Sequence, residues 1–127
     1  QGYRARARLL EAALAARRGD RASALRLDAA TVAKLAAEPL VGVNTDPRWL
    51  LDRARLQTGD DLAALGRTAE ARAQWTAAAD DLNGPLDRYE PQLLVVLAGA
   101  AKRLGRIAAA RAAARRLATL LPATAHT

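Results

Sequence analysis

The chain has 127 residues, of which 51% are apolar, and a formal net charge of +7. This composition excludes a disordered chain and suits one domain with a modest core. Cysteine is absent, which excludes disulfides, thiol nucleophiles and Cys-based metal sites. No stretch approaches the roughly 20 apolar residues of a membrane span. These features do not fix the compartment; we expect the cytoplasm rather than the periplasm.

The apolar residues are mainly Ala and Leu, while Phe and Met are absent and Trp and Tyr contribute two residues each. Ala and Leu are strong helix formers, and the residues that favour strands are scarce, so we predict an all-α fold. Small Ala-rich faces let helix axes approach closely, which suits short helices stacked side by side. Because Met is missing and Tyr3 already opens a helical pattern, we expect a piece of a longer protein.

The first predicted helix pair covers about residues 3–38. Gly19 can close its first helix in the left-handed conformation, and Asp20 can cap the second. The second helix should end before Pro39, where residues 39–46 form a loop. Helical spacing predicts two buried stripes: Tyr3, Ala7, Leu10 and Leu14, then Leu25, Ala29, Val32 and Ala36.

The second pair covers about residues 47–82. Asp46 and Pro47 form a strong helix start, Gly66 marks the turn, and Thr68 can cap the following helix. Trp75 is expected in the core, whereas Trp49 either packs beneath the 39–46 loop or anchors a partner. The predicted stripes are Leu51, Ala54, Thr58, Leu62 and Leu65, followed by Ala71, Trp75, Ala78 and Leu82.

The third pair covers about residues 88–121, after the Asn83-Gly84-Pro85 stop, and turns at Gly105. Tyr89 is expected to close the entry to this pair. Residues 123–127, which contain the lone His126, should form a flexible tail. The predicted stripes are Leu94, Leu97, Ala101 and Leu104, then Ile107, Ala110, Ala114, Leu117 and Leu121.

A Gly-x-x-x-x-Ala pattern recurs at the three turns, which lie 47 and then 39 residues apart. Pair two carries the fullest pattern: Gly59, Leu62, Gly66, Ala71, Trp75 and Ala78. In this it resembles the tetratricopeptide repeat (TPR), and the resemblance implies a right-handed α-α superhelix of six helices in three antiparallel pairs. Pairs one and three depart from the family at the bulky position, which holds Asp28 and Ala114. We expect Asp28 to force its helix to rotate or become irregular.

The resemblance further implies that the first helix of each pair lines a concave groove. Carried over by position, the partner-binding candidates are Arg6, Leu9, Arg17, Arg53, Leu56, Asp60, Gln92, Val95 and Arg103. Small residues at Ala13, Ala64 and Gly99 would leave room for a ligand backbone. The arginines could pair with acidic side chains, or they could simply form a solvated face. Leu9, Leu56, Asp60 and Val95 depart from the family's peptide clamp, so capture of a C-terminal carboxylate is not supported.

The last 37 residues hold six bases and no acid: Lys102, Arg103, Arg106, Arg111, Arg115 and Arg116. This run favours a solvated face over an acidic protein partner, and both over nucleic acid, because side chains that read bases are missing beside it. In its Ala-rich and Arg-rich composition the chain is similar to the C-terminal parts of larger bacterial Ser/Thr protein kinases and winged-helix regulators.

The patterns together predict a protein–protein interaction module, a scaffold or adaptor of a regulatory or signalling protein, that binds a peptide or helix. The alternative is a structural spacer or self-association segment that docks through its terminal faces. The neighbouring acids Asp60–Asp61 and Asp80–Asp81 point to different helix faces. Because no positioned base, nucleophile or phosphate loop accompanies them, we expect no catalysis, cofactor or metal.

Overall fold

The computed structural model describes residues 2–37 and 48–121, and within these ranges it contains only helices. They are α1 (Gly2–Arg17), α2 (Arg21–Ala37), α3 (Arg48–Ala64), α4 (Thr68–Asp81), α5 (Pro91–Arg103) and α6 (Ile107–Leu120), with a 3-10 turn at Leu86–Arg88. The all-α prediction is confirmed. The predicted 39–46 loop, the Asp46–Pro47 helix start and the tail with His126 lie outside the described residues. None of the described helices combines the length and apolar character that a membrane crossing requires.

The three predicted glycine turns share one backbone geometry. Gly19, Gly66 and Gly105 have φ values of 86°, 80° and 77°, the left-handed region that glycine tolerates best. The amide after each glycine donates to a carbonyl five residues back, as Asp20 N does to Ala15 O at 2.9 Å and Arg67 N to Leu62 O at 2.8 Å. This double-bonded cap satisfies helix-end carbonyls and returns the chain antiparallel. The prediction of left-handed glycine caps is therefore confirmed.

The helix starts after these turns differ from one another. Asp20 Oδ1 accepts the amide of Ser23 at 3.1 Å, as predicted for a cap. The pKa of Asp20 is lowered by a hydrogen bond with the Ser23 side chain and, next, by this backbone hydrogen bond. The prediction that Thr68 caps α4 is wrong. Thr68 is already the first helical residue, and Arg67 precedes it without a side-chain capping bond.

Each helix packs on the next in the chain, and α3 also contacts α1 and α5. The odd-numbered helices therefore form a continuous layer. In the described part of the chain, α2, α4 and α6 make no comparable contacts with one another. The helix α3 is the centre of the packing, because it touches α1, α2, α4 and α5.

The buried faces of α1 and α2 differ from the predicted stripes. In α1, Ala5, Leu9, Ala12 and Ala15 are buried, whereas Leu10 and Leu14 are 62% and 46% exposed. In α2, the buried residues are Ala24, Asp28, Thr31 and Leu35. Alanines at the contact let α1 and α2 approach closely, whereas Leu10 and Leu14 lie on the exposed side of α1.

Pairs two and three follow the predicted register more closely. Buried positions include Ala54, Thr58, Leu62, Ala71, Ala78, Leu82, Leu94, Leu97 and Ala101. Leu65 departs from its stripe because it is exposed at the end of the layer. In α6 the predicted stripe is wrong at both ends: Ile107 and Leu121 are exposed, and Ala113 is the buried residue. Within the described residues α6 packs on α5 and, to a smaller extent, on the 3-10 turn.

Candidate functional site: the groove between α1 and α3

A groove between α1 and α3 begins at a cavity of about 240 Å³ near the start of both helices. Its lining combines apolar and cationic side chains: Arg6, Leu9, Leu10, Ala13, Trp49, Leu50 and Arg53. The Arg6 guanidinium lies 5.3 Å from the centre of the Trp49 ring, within the range of a cation–π contact. Trp49 is half-buried and packs on the cluster that contains Leu35 and Leu50. It therefore fixes this end of the groove and also lines it.

A second cavity, of about 270 Å³, continues the groove toward the ends of α1 and α3. Ala13 lines both cavities. The open space therefore lies beside one of the small residues that were expected to leave room for a ligand backbone. The second cavity has a polar lining that includes Arg17, Arg21, Asp28, Gln57, Asp60 and Asp61. The Gln57 amide donates to Asp28 Oδ1 at 2.9 Å and to Leu9 O at 3.3 Å. These bonds join α3 to both α2 and α1.

Three of the predicted groove arginines, Arg6, Arg17 and Arg53, are exposed and form no ion pair with the described residues. Arg53 Nε donates to the neutral Gln57 Oε1 at 3.3 Å, which holds the side chain along α3. Three arginines that have no ion pair within residues 2–37 and 48–121 thus lie along the α1–α3 groove.

The remaining partner-binding candidates are either ion-paired, buried or exposed away from the groove. Arg103 and Asp60 neutralise each other in a two-pronged ion pair, with Nε–Oδ1 at 2.6 Å and Nη2–Oδ2 at 2.9 Å. Leu9 is 3% exposed and belongs to a core cluster, and it also lines the first cavity. Leu56 is half-buried against the α5 cluster. Gln92 and Val95 are exposed on α5, away from the two cavities described above.

Trp75 occupies a site between α4 and α3. Its indole Nε1 donates to Asp60 Oδ1 at 3.2 Å. A Cβ at Gly59 would lie 2.4 Å from the same Nε1, so the ring sits directly against the glycine backbone. Gly59 and Trp75, which both belong to the repeat pattern of pair two, are therefore in direct contact.

The sequence did not predict the buried carboxyl groups on α2 and α3. Asp28, Asp52 and Asp61 are at most 2% exposed. The helix α2 runs without interruption from Arg21 to Ala37 with Asp28 on its inner face. The expectation that Asp28 rotates or distorts α2 is therefore wrong, because a polar cluster with Gln57 accommodates it. One feature of the sequence could have indicated this burial. Asp28 lies nine residues after Gly19, as Trp75 lies nine residues after Gly66, so the two residues occupy equivalent positions.

Burial and neighbouring carboxyl groups raise the pKa of two of these three aspartates. Burial, followed by the adjoining Asp61 carboxyl, raises the pKa of Asp28 to about 9. Burial, followed by the Asp81 carboxyl, raises the pKa of Asp52 to about 8 despite the Arg55 guanidinium. One oxygen of Asp61 and one of Asp52, the Oδ2 atom in each case, has no hydrogen-bond donor among the described residues.

The basic C-terminal run is interrupted by ion pairs. Arg103 is held by Asp60, and Arg106 Nη1 lies 2.8 Å from Asp80 Oδ1. Arg116 is half-buried and faces the Asp87 carbonyl at 3.5 Å. Of the six bases, Lys102, Arg111 and Arg115 stay exposed without an ion pair to the described residues. The structure therefore has less continuous positive charge here than the sequence indicates.

No family model, curated protein or solved structure matches this chain.

Proposed function

We propose that this chain is a non-catalytic, TPR-like protein–protein interaction module of a larger regulatory protein, and that it binds an acidic peptide or helix in the α1–α3 groove. The observation that carries the proposal is a set of three arginines, Arg6, Arg17 and Arg53, which lie along one open groove and form no ion pair with the described residues. Guanidinium groups bind carboxylates with two parallel hydrogen bonds, so an acidic segment complements this surface.

The cavity beside Trp49 supports the same proposal. Leu10 is 62% exposed at its edge, and Trp49 provides an aromatic wall fixed by the core. An apolar side chain of the partner would fill this space while its acidic neighbours reach Arg6 and Arg53. Amphipathic helices bind apolar grooves in this way, through anchors spaced three or four residues apart.

We expect Arg6→Glu and Arg53→Glu each to weaken binding of an acidic amphipathic peptide by about tenfold or more, because each replaces an attraction by a repulsion. The probe is a 15-residue peptide with Leu at helical spacing and Glu between the leucines, titrated by calorimetry. Arg72→Glu is the matched control, since Arg72 is an exposed arginine on α4, outside the groove.

The control variant should bind within about twofold of the wild type, because a surface charge outside the interface contributes little. A peptide of the same composition with its Leu and Glu positions scrambled should bind more weakly. Absence of binding by the wild type, or equal losses in all three variants, would contradict the proposal.

The exposed apolar residues of α6 favour self-association as the alternative. Ile107, Leu120 and Leu121 are between 40% and 50% exposed. Leu117 packs against the α5 cluster, so Leu121 is the better position for a test charge. If the chain self-associates through α6, sedimentation should show a dimer whose fraction rises with concentration. Leu121→Glu should abolish that dimer, whereas Leu10→Glu on α1 should preserve it. A monomer at all concentrations would exclude this alternative.

A further inference from the structure

Two buried carboxyl groups line the second cavity of the α1–α3 groove. They belong to Asp28 of α2 and Asp61 of α3, which are 1% and 2% exposed and border a volume of about 270 Å³. The two carboxyl groups are within hydrogen-bonding reach of each other. The α1 side of the cavity is formed partly by small side chains, namely Ala12, Ala13 and Ala16. The cavity therefore offers open space beside a buried acidic pair.

The hydrogen-bond donors of the described residues leave one buried oxygen of this pair without a partner. Gln57 Nε2 donates to Asp28 Oδ1 at 2.9 Å, and Arg21 Nη1 donates to Asp61 Oδ1 at 3.1 Å. Asp61 Oδ2 is buried and accepts no hydrogen bond from the described residues. A buried acceptor without a donor raises the free energy of the protein, so the cavity favours an additional donor.

The charges around the cavity indicate that this donor should carry a positive charge. Asp60 is the third acidic residue of the lining, and Arg103 of α5 pairs with it. Asp61 pairs with Arg21 of α2. Asp28 forms no ion pair within residues 2–37 and 48–121. Two of the three carboxyl groups are thus neutralised by arginines, and one is not.

A single positive charge beside Asp28 would complete this balance. Arg17 of α1 lines the same cavity, but its side chain is exposed and forms no ion pair with the described residues. In the protein alone a proton can neutralise the pair, because burial, followed by the adjoining Asp61 carboxyl, raises the pKa of Asp28 to about 9. A cation that enters the cavity would replace this proton.

We propose that the second cavity binds a primary ammonium group, the lysine side chain of the bound peptide. An ammonium is a compact charge with three hydrogen-bond donors, so it can contact both Asp28 and Asp61 Oδ2. A guanidinium, in contrast, is planar and suits the two oxygens of a single carboxylate. The assignment of the lysine to a peptide rests on the proposed function, whereas binding of the ammonium group itself does not.

The first test uses n-butylammonium chloride, which has the chain and the charge of a lysine side chain. It is titrated into the full chain and followed by NMR of the Gln57 side-chain amide, which donates to Asp28. We expect a saturable shift at millimolar concentration, the strength expected of so small a ligand. The uncharged n-butanol and sodium chloride should cause no such shift. The ammonium site is overturned if n-butylammonium gives no saturable shift, or if n-butanol gives the same one.

Asp28→Asn should weaken n-butylammonium binding about tenfold or more, because it removes the charge but keeps the oxygen that accepts from Gln57. Asp80→Asn is the matched control, since Asp80 is exposed on α4 and paired with Arg106, and it should bind like the wild type. Equal binding by all three proteins would overturn Asp28 as the partner of the ammonium.

Competition with the proton gives the binding a defined pH dependence. A lysine ammonium keeps its charge below about pH 10, whereas the pKa of Asp28 is about 9. Below that pKa each bound ammonium displaces up to one proton, so the binding constant should rise by up to about tenfold per pH unit. A binding constant that does not rise between about pH 6 and 8 contradicts ion pairing with Asp28.

A peptide experiment separates this inference from the proposed function. Each Glu of the acidic amphipathic peptide is replaced in turn by Lys and by norleucine, which has the same carbon chain without the charge. At the position that faces the second cavity, Lys should bind about tenfold more tightly than norleucine. Asp28→Asn should abolish this difference, and Asp80→Asn should preserve it.

The outcomes for the two proposals differ. If the acidic peptide binds but Lys gives no gain at any position, the lysine assignment is overturned while the proposed function stands. If n-butylammonium binds and no peptide does, the proposed function fails while the ammonium site is supported.

Discussion

Gly59→Ala is expected to lower the free energy of unfolding by about 1–3 kcal/mol, the usual cost of overpacking a tight contact. In a helix interior this substitution normally stabilises a protein by up to about 1 kcal/mol. Here the added Cβ would lie 2.4 Å from Trp75 Nε1, 2.5 Å from Trp75 Cδ1 and 3.1 Å from the Ala71 carbonyl oxygen. The ring cannot withdraw freely, because its Nε1 donates to Asp60. Urea unfolding followed by far-ultraviolet circular dichroism measures the change.

Gly99→Ala is the matched control on α5. Its Cβ would lie 3.0 Å from Arg103 Nη1 and 3.4 Å from the Leu56 side chain, which are looser contacts than those at Gly59. We expect its stability to be unchanged or increased by up to about 1 kcal/mol. Equal destabilisation by the two substitutions would show that the Gly59–Trp75 contact has no special role.

Leu94→Ala is expected to destabilise the protein by about 2–5 kcal/mol, the range for removing a large buried aliphatic side chain. Leu94 is 0% exposed and packs in the cluster that includes Ala78, Leu82 and Ala113. Alanine neighbours have no long side chains that could move into the space. The substitution therefore leaves a cavity between α4, α5 and α6, and thermal or urea unfolding measures its cost.

Val95→Ala provides the control at the next position of the same helix. Val95 is 52% exposed, so its truncation should change the unfolding free energy by less than about 0.5 kcal/mol. This comparison also tests the register of α5, because a rotation of one residue would exchange the two results. A larger loss for Val95→Ala than for Leu94→Ala would contradict the packing described here.

The register of a helix was predictable only where its two faces differ. In α5 the leucines Leu94 and Leu97 are buried as predicted, since large apolar residues occupy one side. In α1, alanines occur on several faces, so periodicity does not distinguish the contact face from the rim. The structure buries Ala5, Ala12 and Ala15, because close approach of helices favours the smallest side chains.

The candidate site was predictable in part. The repeat pattern indicated Arg6, Arg17 and Arg53 as groove residues, and in the structure these three side chains are exposed on α1 and α3. The repeat pattern could not show that the Leu9 side chain is buried in the core or that Arg103 forms an ion pair with Asp60. Those outcomes depend on how two helices are rotated relative to each other, which spacing within one helix does not determine.

By itself the sequence determined the fold class and the helix-turn-helix units. Ala and Leu content favours helices, and Gly19, Gly66 and Gly105 allow the left-handed caps that reverse the chain. These are local effects, set by a residue and its near neighbours. Only the tertiary structure decided which charges meet. The Arg103–Asp60 pair joins residues 43 positions apart, and the buried carboxyl pairs arise because α3 packs between α2 and α4.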